Sequence, residues 1–234
     1  MLARFALEAP LGTGGQGTVW RARDLVARRD VAVKAFHGLG AGELMAQRRE
    51  VAALRVLRIP GIVTLLDAGV EHGVGYVAME LVEGVRFPGT APREWSALAP
   101  LTHALLETLS RVHAAGIVHA DLKPANVLVD PARGPVVMDL GIAGGAAFSG
   151  AQPLAGTLRY MAPLLFDGVH PSAATDLYSL AVMLFEVLVG APPREGGAPA
   201  LLQDPLEAIE VAAALDGHAP REVVQLLVQV LTGA

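Results

Sequence analysis

In the first eighty residues the apolar positions fall into short runs bounded by turn residues, which reads as strands with one helix among them. Ala6 to Leu11, Thr18 to Ala22 and Val31 to Phe36 are delimited by Gly14-Gly15 and by the charged Arg28-Arg29-Asp30. From Gly42 to Arg58 the spacing becomes helical, with Met45, Leu54 and Leu57 in the stripe and Pro60-Gly61 as the stop. Ile62 to Val70 and Tyr76 to Val82 return to strand character across Glu71-His72-Gly73. Residues 84–93 carry Gly and Pro breakers and a change of charge, and read as a hinge.

Beyond the hinge the periodicity is mainly helical. Pro100 suits a first helical turn, Leu101, Leu105, Leu109 and Val112 form a stripe, and Gly116 ends it. Two short apolar segments follow, Val127 to Val129 and Val136 to Met138, then a loop of small residues over 144–157. A strong helix from about Thr175 to Val189, a Pro/Gly-rich stretch and two weaker helices complete the chain. The predicted class is α+β: a strand-rich lobe over about residues 1–82, a hinge over about 80–93 and a mainly helical lobe over about 94–234, with a cleft between the lobes. No internal repeat is visible.

Composition narrows the chemistry. The 234 residues carry a net charge of −5, which argues against a basic nucleic-acid surface. With no Cys, disulfides, thiolate metal sites and cysteine nucleophiles are excluded, and none of the seven His residues forms an i, i+4 metal-binding pair. Met1 to Phe5 does not open an export signal, and the most apolar stretch, Leu177 to Val189, is too short to span a bilayer. That stretch reads as a helix buried on all sides, and a cytoplasmic location without a membrane segment is the expectation.

Several segments carry candidate chemistry. Gly12-Thr13-Gly14-Gly15-Gln16-Gly17 has the spacing of a loop whose backbone N–H groups approach polyphosphate, but the strand Thr18 to Ala22 follows it, so the glycines turn a hairpin and a dinucleotide fold is excluded. Lys34 ends the apolar run Val31-Ala32-Val33, 17 residues after Gly17, on a strand that folds back beside that loop. Glu50 lies on the face of Leu54 and Leu57 and can point inward; Glu43, one heptad earlier, lies near the same face, and periodicity does not choose between them. The most specific segment is His119-Ala120-Asp121-Leu122-Lys123-Pro124-Ala125-Asn126. There an acid can take a hydroxyl proton, a lysine can neutralise phosphate and an amide can bind a metal. Asp139-Leu140-Gly141 follows 18 residues after Asp121 and can supply a second metal ligand.

These motifs, with Gly156-Thr157-Leu158-Arg159-Tyr160-Met161-Ala162-Pro163 and Asp176-Leu177-Tyr178-Ser179-Leu180, resemble eukaryotic-type protein kinases of the bacterial serine/threonine kind over nearly the whole chain. The resemblance implies a bilobal kinase fold, ATP and Mg²⁺ as cofactors, and a protein substrate with a Ser/Thr acceptor. It implies that Gly12, Gly14 and Gly17 cover the ATP phosphates, that Lys34 binds the α- and β-phosphates, and that Glu50 rather than Glu43 holds Lys34. Met79 is then the gatekeeper, the backbone of Glu80 and Val82 bonds the adenine edge, and Val19, Ala32 and Leu128 sandwich the base. Asp121 is the proton acceptor, Lys123 and Thr157 are the serine/threonine-type companions around it, Asn126 and Asp139 hold magnesium, and Asp176 braces the backbone at His119 and Ala120.

The departures from the family pattern matter as well. Ala120 stands where many members have an arginine that receives an activation-loop phosphate, so activity without loop phosphorylation is expected; Ser149 and Thr157 are the only hydroxyls between Gly144 and Leu158. Leu164 replaces a glutamate whose usual arginine partner, near the end of the fold, is not evident before Ala234, so both halves of an ion pair are missing together. A missing last helix, or a further domain or partner over the Val223, Leu226, Leu227 and Val230 stripe, is the corresponding expectation. Two alternatives accompany the kinase reading. One is a pseudokinase acting as a nucleotide-binding scaffold or sensor, and the other is a small-molecule phosphotransferase of the aminoglycoside type.

Overall fold

Five antiparallel strands, ordered β1-β2-β3-β5-β4, form the sheet of the first of two compact units, Met1–Glu83, in the computed structural model. The residues described are 2–14, 17–36, 58–89, 92–140, 158–194 and 206–233. The strands are β1 (Phe5–Gly14), β2 (Gly17–Asp24), β3 (Arg29–Phe36), β4 (Leu65–Glu71) and β5 (Val74–Glu80), each close to a run expected from the apolar pattern. The helix expected over Gly42 to Arg58 lies almost wholly outside the described residues. Alternation gives the sheet two distinct faces. One face packs Ala22, Val31, Val33 and Ala78 with Leu2 and Phe5, and the Phe5 ring meets Tyr76 edge-on at 5.6 Å. Gly17 is required by a close approach, because a Cβ there would collide with the Ala35 carbonyl of the paired strand.

An ion-pair knot not foreseen from the sequence fastens the edge of this sheet. Arg4 donates through Nε and Nη2 to the two oxygens of Asp24, at 3.0 and 2.7 Å, and through Nη1 to Asp67 at 2.5 Å. Asp24 is fully buried and also accepts from the Val26 and Ala27 N–H groups of the β2–β3 turn, at 3.0 Å each. The Arg4 guanidinium holds the Asp24 carboxyl well below the usual carboxylate range, against the opposing effect of burial. A depressed folded-state pKa adds stability that is present above the unfolded value and lost as pH falls through the folded one. Arg4→Gln is therefore expected to lower Tm at neutral pH by roughly 5 °C, the size for removing one partner of a buried group in a chain of this length. It should also flatten the loss of stability on acidification below about pH 4. Urea midpoints followed against pH for both proteins check this; parallel curves would show that the knot contributes nothing to the acid limb.

The second unit, Gly84–Ala234, is mainly helical. It contains α1 (Trp95–Ala114), α2 (Ala173–Val189), α3 (Ala208–Leu215) and α4 (Arg221–Thr232), with a small sheet of β6 (Val85–Arg86), β7 (Val127–Asp130) and β8 (Gly134–Val137). Part of the stretch read as a hinge is thus β6, paired with β7. Gly84 admits it, since a Cβ there would strike the Val129 carbonyl. The start expected for α1 at Pro100 is wrong: the helix begins at Trp95 and Pro100 lies inside it. The proline removes an N–H that would have met the Ser96 carbonyl, but Ser96 and Pro100 are both exposed and water can satisfy that carbonyl. The buried stripe accordingly runs Leu98, Thr102, Leu105, Leu109 and Val112, with Leu101 at its margin.

Helix α2 is buried nearly all round, as its unbroken apolar run implies, and Gly190 at φ 84° closes it with an N–H to the Glu186 carbonyl at 2.9 Å. The stripe on α4 is partly used within the chain: Leu227 and Leu231 are buried on a helix packed against α2 and α3, while Leu226 is 61 % exposed. Among the described residues no helix is long and apolar enough to cross a membrane.

Candidate active site

The best-defined constellation belongs entirely to the helical unit and is centred on a buried carboxylate. Asp176, in the first turn of α2, accepts the His119 N–H at 2.9 Å and the His113 Nε2–H at 2.8 Å on one oxygen, and the Ala120 N–H at 2.9 Å on the other. With Asp176 only 1 % exposed, three donors on one carboxylate are what burial of the charge demands. Ala120 is held at φ 64°, a left-handed conformation that alanine adopts only under restraint. His119 adds to the restraint. Its Nε2–H donates to the Met138 carbonyl at 2.9 Å, which leaves Nδ1 to accept the Asp121 N–H at 3.3 Å.

This scaffold presents Asp121, Lys123 and Asn126 together. Lys123 Nζ donates to both Asp121 carboxylate oxygens, at 3.0 and 2.7 Å. Asn126 Nδ2 donates to the Asp121 carbonyl at 2.8 Å and to its Oδ2 at 3.2 Å. The amide is thereby oriented with its nitrogen on Asp121 and its oxygen turned away. A single 3₁₀ turn, Pro124–Asn126, sets the five-residue spacing, and its proline fits the first position, where no N–H is needed. The hairpin β7–β8 brings Asp139 to the same end: Val127 pairs with Val137, and Met138 N–H donates to the Asn126 carbonyl at 2.8 Å. Asp139 has φ 56°, the second left-handed non-glycine position in this region. An amide oxygen and a carboxylate at one hairpin end are hard oxygen donors of the kind Mg²⁺ takes when phosphates complete its shell.

The other end of the constellation is held by Arg159, Tyr160 and Ser179 of the motifs together with Glu186, none of which had a role assigned from the sequence. Ser179 Oγ–H donates to the Tyr160 carbonyl at 2.7 Å, and the Tyr160 hydroxyl donates to Glu186 Oε2 at 2.7 Å. Arg159 Nη1 donates to Glu186 Oε1, also at 2.7 Å. Burial, and then the Glu186 carboxylate, raise the Tyr160 phenol above its ordinary value. These bonds clamp the segment 158–162 onto α2. Leu164, at the position where the family has a glutamate, is 56 % exposed. Asp121, Leu122, Tyr160, Met161 and Leu165 line a shallow pocket between the two halves of the constellation.

In the strand unit the expected nucleotide residues share one face of the sheet. Gly12 pairs with Val19 and Val19 with Lys34; Gly14 pairs with Gly17, and Ala32 with Met79. By strand alternation Val19, Ala32, Lys34 and Met79 therefore project to the same side, opposite the Val31, Val33 and Ala78 core. Around the positions where a Cβ would stand at Gly12 and Gly14 there is open space, so packing against the described residues does not require these glycines. Lys34 is buried at 7 % exposure, with Nζ 5.5 Å from the centre of the Phe36 ring. The Glu80 N–H donates to the Thr64 carbonyl at 2.9 Å, and Glu80 pairs with Val31 at the end of β5. Val82 is buried in this unit, and Leu128 lies on β7 of the other. Glu50, Glu43, Ser149 and Thr157 lie outside the described residues, as do Gly15, Gln16 and Gly141.

Comparison with known proteins agrees with the motif pattern. Residues 5–227 match the model of the protein kinase domain. The chain is 36% identical over 216 residues to the serine/threonine-protein kinase PknB of Mycobacterium tuberculosis, covering 84% of this chain and 34% of that protein. It is 34% identical over 211 residues to the serine/threonine-protein kinase pkn3 of Myxococcus xanthus, covering 82% and 39%. It is also 34% identical over 246 residues to the DNA damage-responsive serine/threonine-protein kinase RqkA of Deinococcus radiodurans, covering 99% and 37%. The chain thus spans little more than a third of the length of these relatives. Its fold matches the crystal structure of a point mutant of the Mycobacterium tuberculosis PknI kinase domain, with a TM-score of 0.72 at 23% identity, covering 100% of this chain and 89% of that one.

Proposed function

We infer, because the chain belongs to the protein kinase domain family, that it is a serine/threonine protein kinase which transfers the γ-phosphoryl group of ATP to hydroxyls of protein substrates with Mg²⁺ as cofactor. In this reading the acceptor oxygen bonds to the γ-phosphorus as the bond to the bridging oxygen of the leaving ADP breaks, and the hydroxyl proton passes to Asp121. Lys123, already bonded to Asp121, lies beside the transferring group and offsets its charge. Lys34 holds the α- and β-phosphates on the open face left by Gly12 and Gly14, with Gly17 closing the hairpin. Glu50 is the proposed partner of Lys34, and Thr157 the proposed companion of Asp121 and Lys123. Met79, the backbone of Glu80 and Val82, and the side chains of Val19, Ala32 and Leu128 are the proposed adenine contacts. Asn126 and Asp139 would hold Mg²⁺, which supplies neutralisation of the phosphate oxygens when bound.

The observation that carries the reading is the Asp121–Lys123–Asn126 knot, in which an ammonium and an oriented amide both hydrogen-bond to one carboxylate. Ala120 does not weaken it. The site uses the backbone N–H and the left-handed turn of that residue, both of which alanine supplies. A cytoplasmic location belongs to the same proposal. Incubation with labelled ATP, Mg²⁺ and a generic Ser/Thr protein acceptor is expected to give phosphoserine or phosphothreonine, and chelation of Mg²⁺ should stop the transfer. Absence of label with Mg²⁺ present would refute the reading; label that persists without any divalent ion would refute the role of Asn126 and Asp139.

A further inference from the structure

The ion pair between Arg159 and Glu186 sets the charge that the acceptor side presents to a substrate. Glu186 on α2 is 26 % exposed, and alone it would attract a cationic residue in a peptide lying beside Asp121. Both of its oxygens are already engaged, Oε1 by Arg159 and Oε2 by the Tyr160 hydroxyl, each at 2.7 Å. Arg159 is in the opposite situation. It is 46 % exposed and is engaged by Glu186 and the neighbouring Tyr160 hydroxyl, while a guanidinium carries five donors in a planar fork. The next residue, Tyr160, lines the same pocket as Asp121. The charge of Asp121 is itself matched by Lys123, and Asp176 is buried under three donors. Among the described residues of this segment, the outward-facing charged group is therefore the Arg159 fork of N–H groups, suited to a carboxylate.

We propose that Arg159 makes the chain select Ser/Thr acceptors flanked by an acidic side chain, with Glu186 serving as its internal holder and not as a receptor for substrate cations. The inference rests on the kinase reading and specifies its substrate class. Arg159 is here a specificity residue that touches the substrate, while Glu186 and Tyr160 position it.

The test uses the 234-residue chain with Mg-ATP and three peptides sharing one threonine acceptor, flanked by Glu, Gln or Lys. The wild-type protein should turn over the Glu peptide with a kcat/KM about tenfold above that of the Lys peptide, the scale of a few exposed charge contacts, and salt should shrink the ratio. Arg159→Gln can still donate to Glu186 but leaves its charge uncompensated, so the ratio should fall to about one or invert. Arg159→Lys should keep the wild-type order. Any general loss from loosening the segment cancels, because each variant is judged on its own ratio. A wild-type ratio near one, or a ratio unchanged in Arg159→Gln, with the Gln peptide still phosphorylated, would overturn this inference and leave the kinase reading standing. Phosphate on none of the three peptides would overturn both.

Discussion

Asp121→Asn is expected to lower phosphoryl transfer by about a hundredfold or more while leaving ATP affinity nearly unchanged, the lower range for loss of a positioned general base. Asparagine keeps the size of the side chain and can still accept from Lys123 through one oxygen. It cannot take a proton from the acceptor hydroxyl at neutral pH, and its NH₂ group would face a donor on Lys123 or Asn126. Among the described residues, the hydrogen bonds that position Asp121 come from its own loop, through the His119 ring, Lys123 and Asn126. Loss of its charge should therefore be felt at the acceptor and not at the adenine. Turnover of a Ser/Thr acceptor and the binding of a fluorescent ATP analogue, measured on the same preparation, separate the two. A collapse of nucleotide affinity in step with turnover would make Asp121 a structural residue and return the proton-acceptor role to another group.

The sequence was legible wherever chemistry is local. The strand Val31 to Phe36 is rich in valine and sits between turn residues, and the spacings from Asp121 to Lys123 and Asn126 survive as a single turn because Pro124 dictates the local backbone. The buried helix at Thr175 to Val189 is visible from its length of apolar sequence alone. Pro100 misled because proline signals a helix start only on average, and an exposed face tolerates it further in. What could not be read are pairings that depend on tertiary register. His113 meets Asp176 across 63 residues, Arg4 meets Asp67 across 63, and Arg159 meets Glu186 across 27. No spacing rule covers such distances. The one available hint was chemical: an acid as deeply placed as Asp176 must find several donors, and His113 stands on the helix that leads into its loop.

That same buried carboxylate gives the last prediction its force. Asp176→Asn keeps the volume but replaces one accepting oxygen with a donor, so at least one of the Ala120, His119 or His113 N–H groups loses its partner. An unpaired donor in a site only 1 % exposed costs about 1–3 kcal/mol, and the lost charge-assisted bonds add to that. The effect on activity follows from Ala120. Its left-handed backbone at φ 64° costs about 1–2 kcal/mol relative to the right-handed alternative, and the Asp176 bond is what holds it there. Released, the turn relaxes and carries Asp121 out of line, so transfer should fall by about a hundredfold, the penalty for a displacement near 1 Å. Ala120→Gly provides the discriminating control, because glycine occupies that conformation without steric cost. In the Asp176→Asn background it should restore activity several-fold without restoring thermal stability, since the orphaned donors remain. If Ala120→Gly returns no activity to the Asp176→Asn protein, Asp176 acts through the stability of the whole unit and the left-handed turn is not what it maintains.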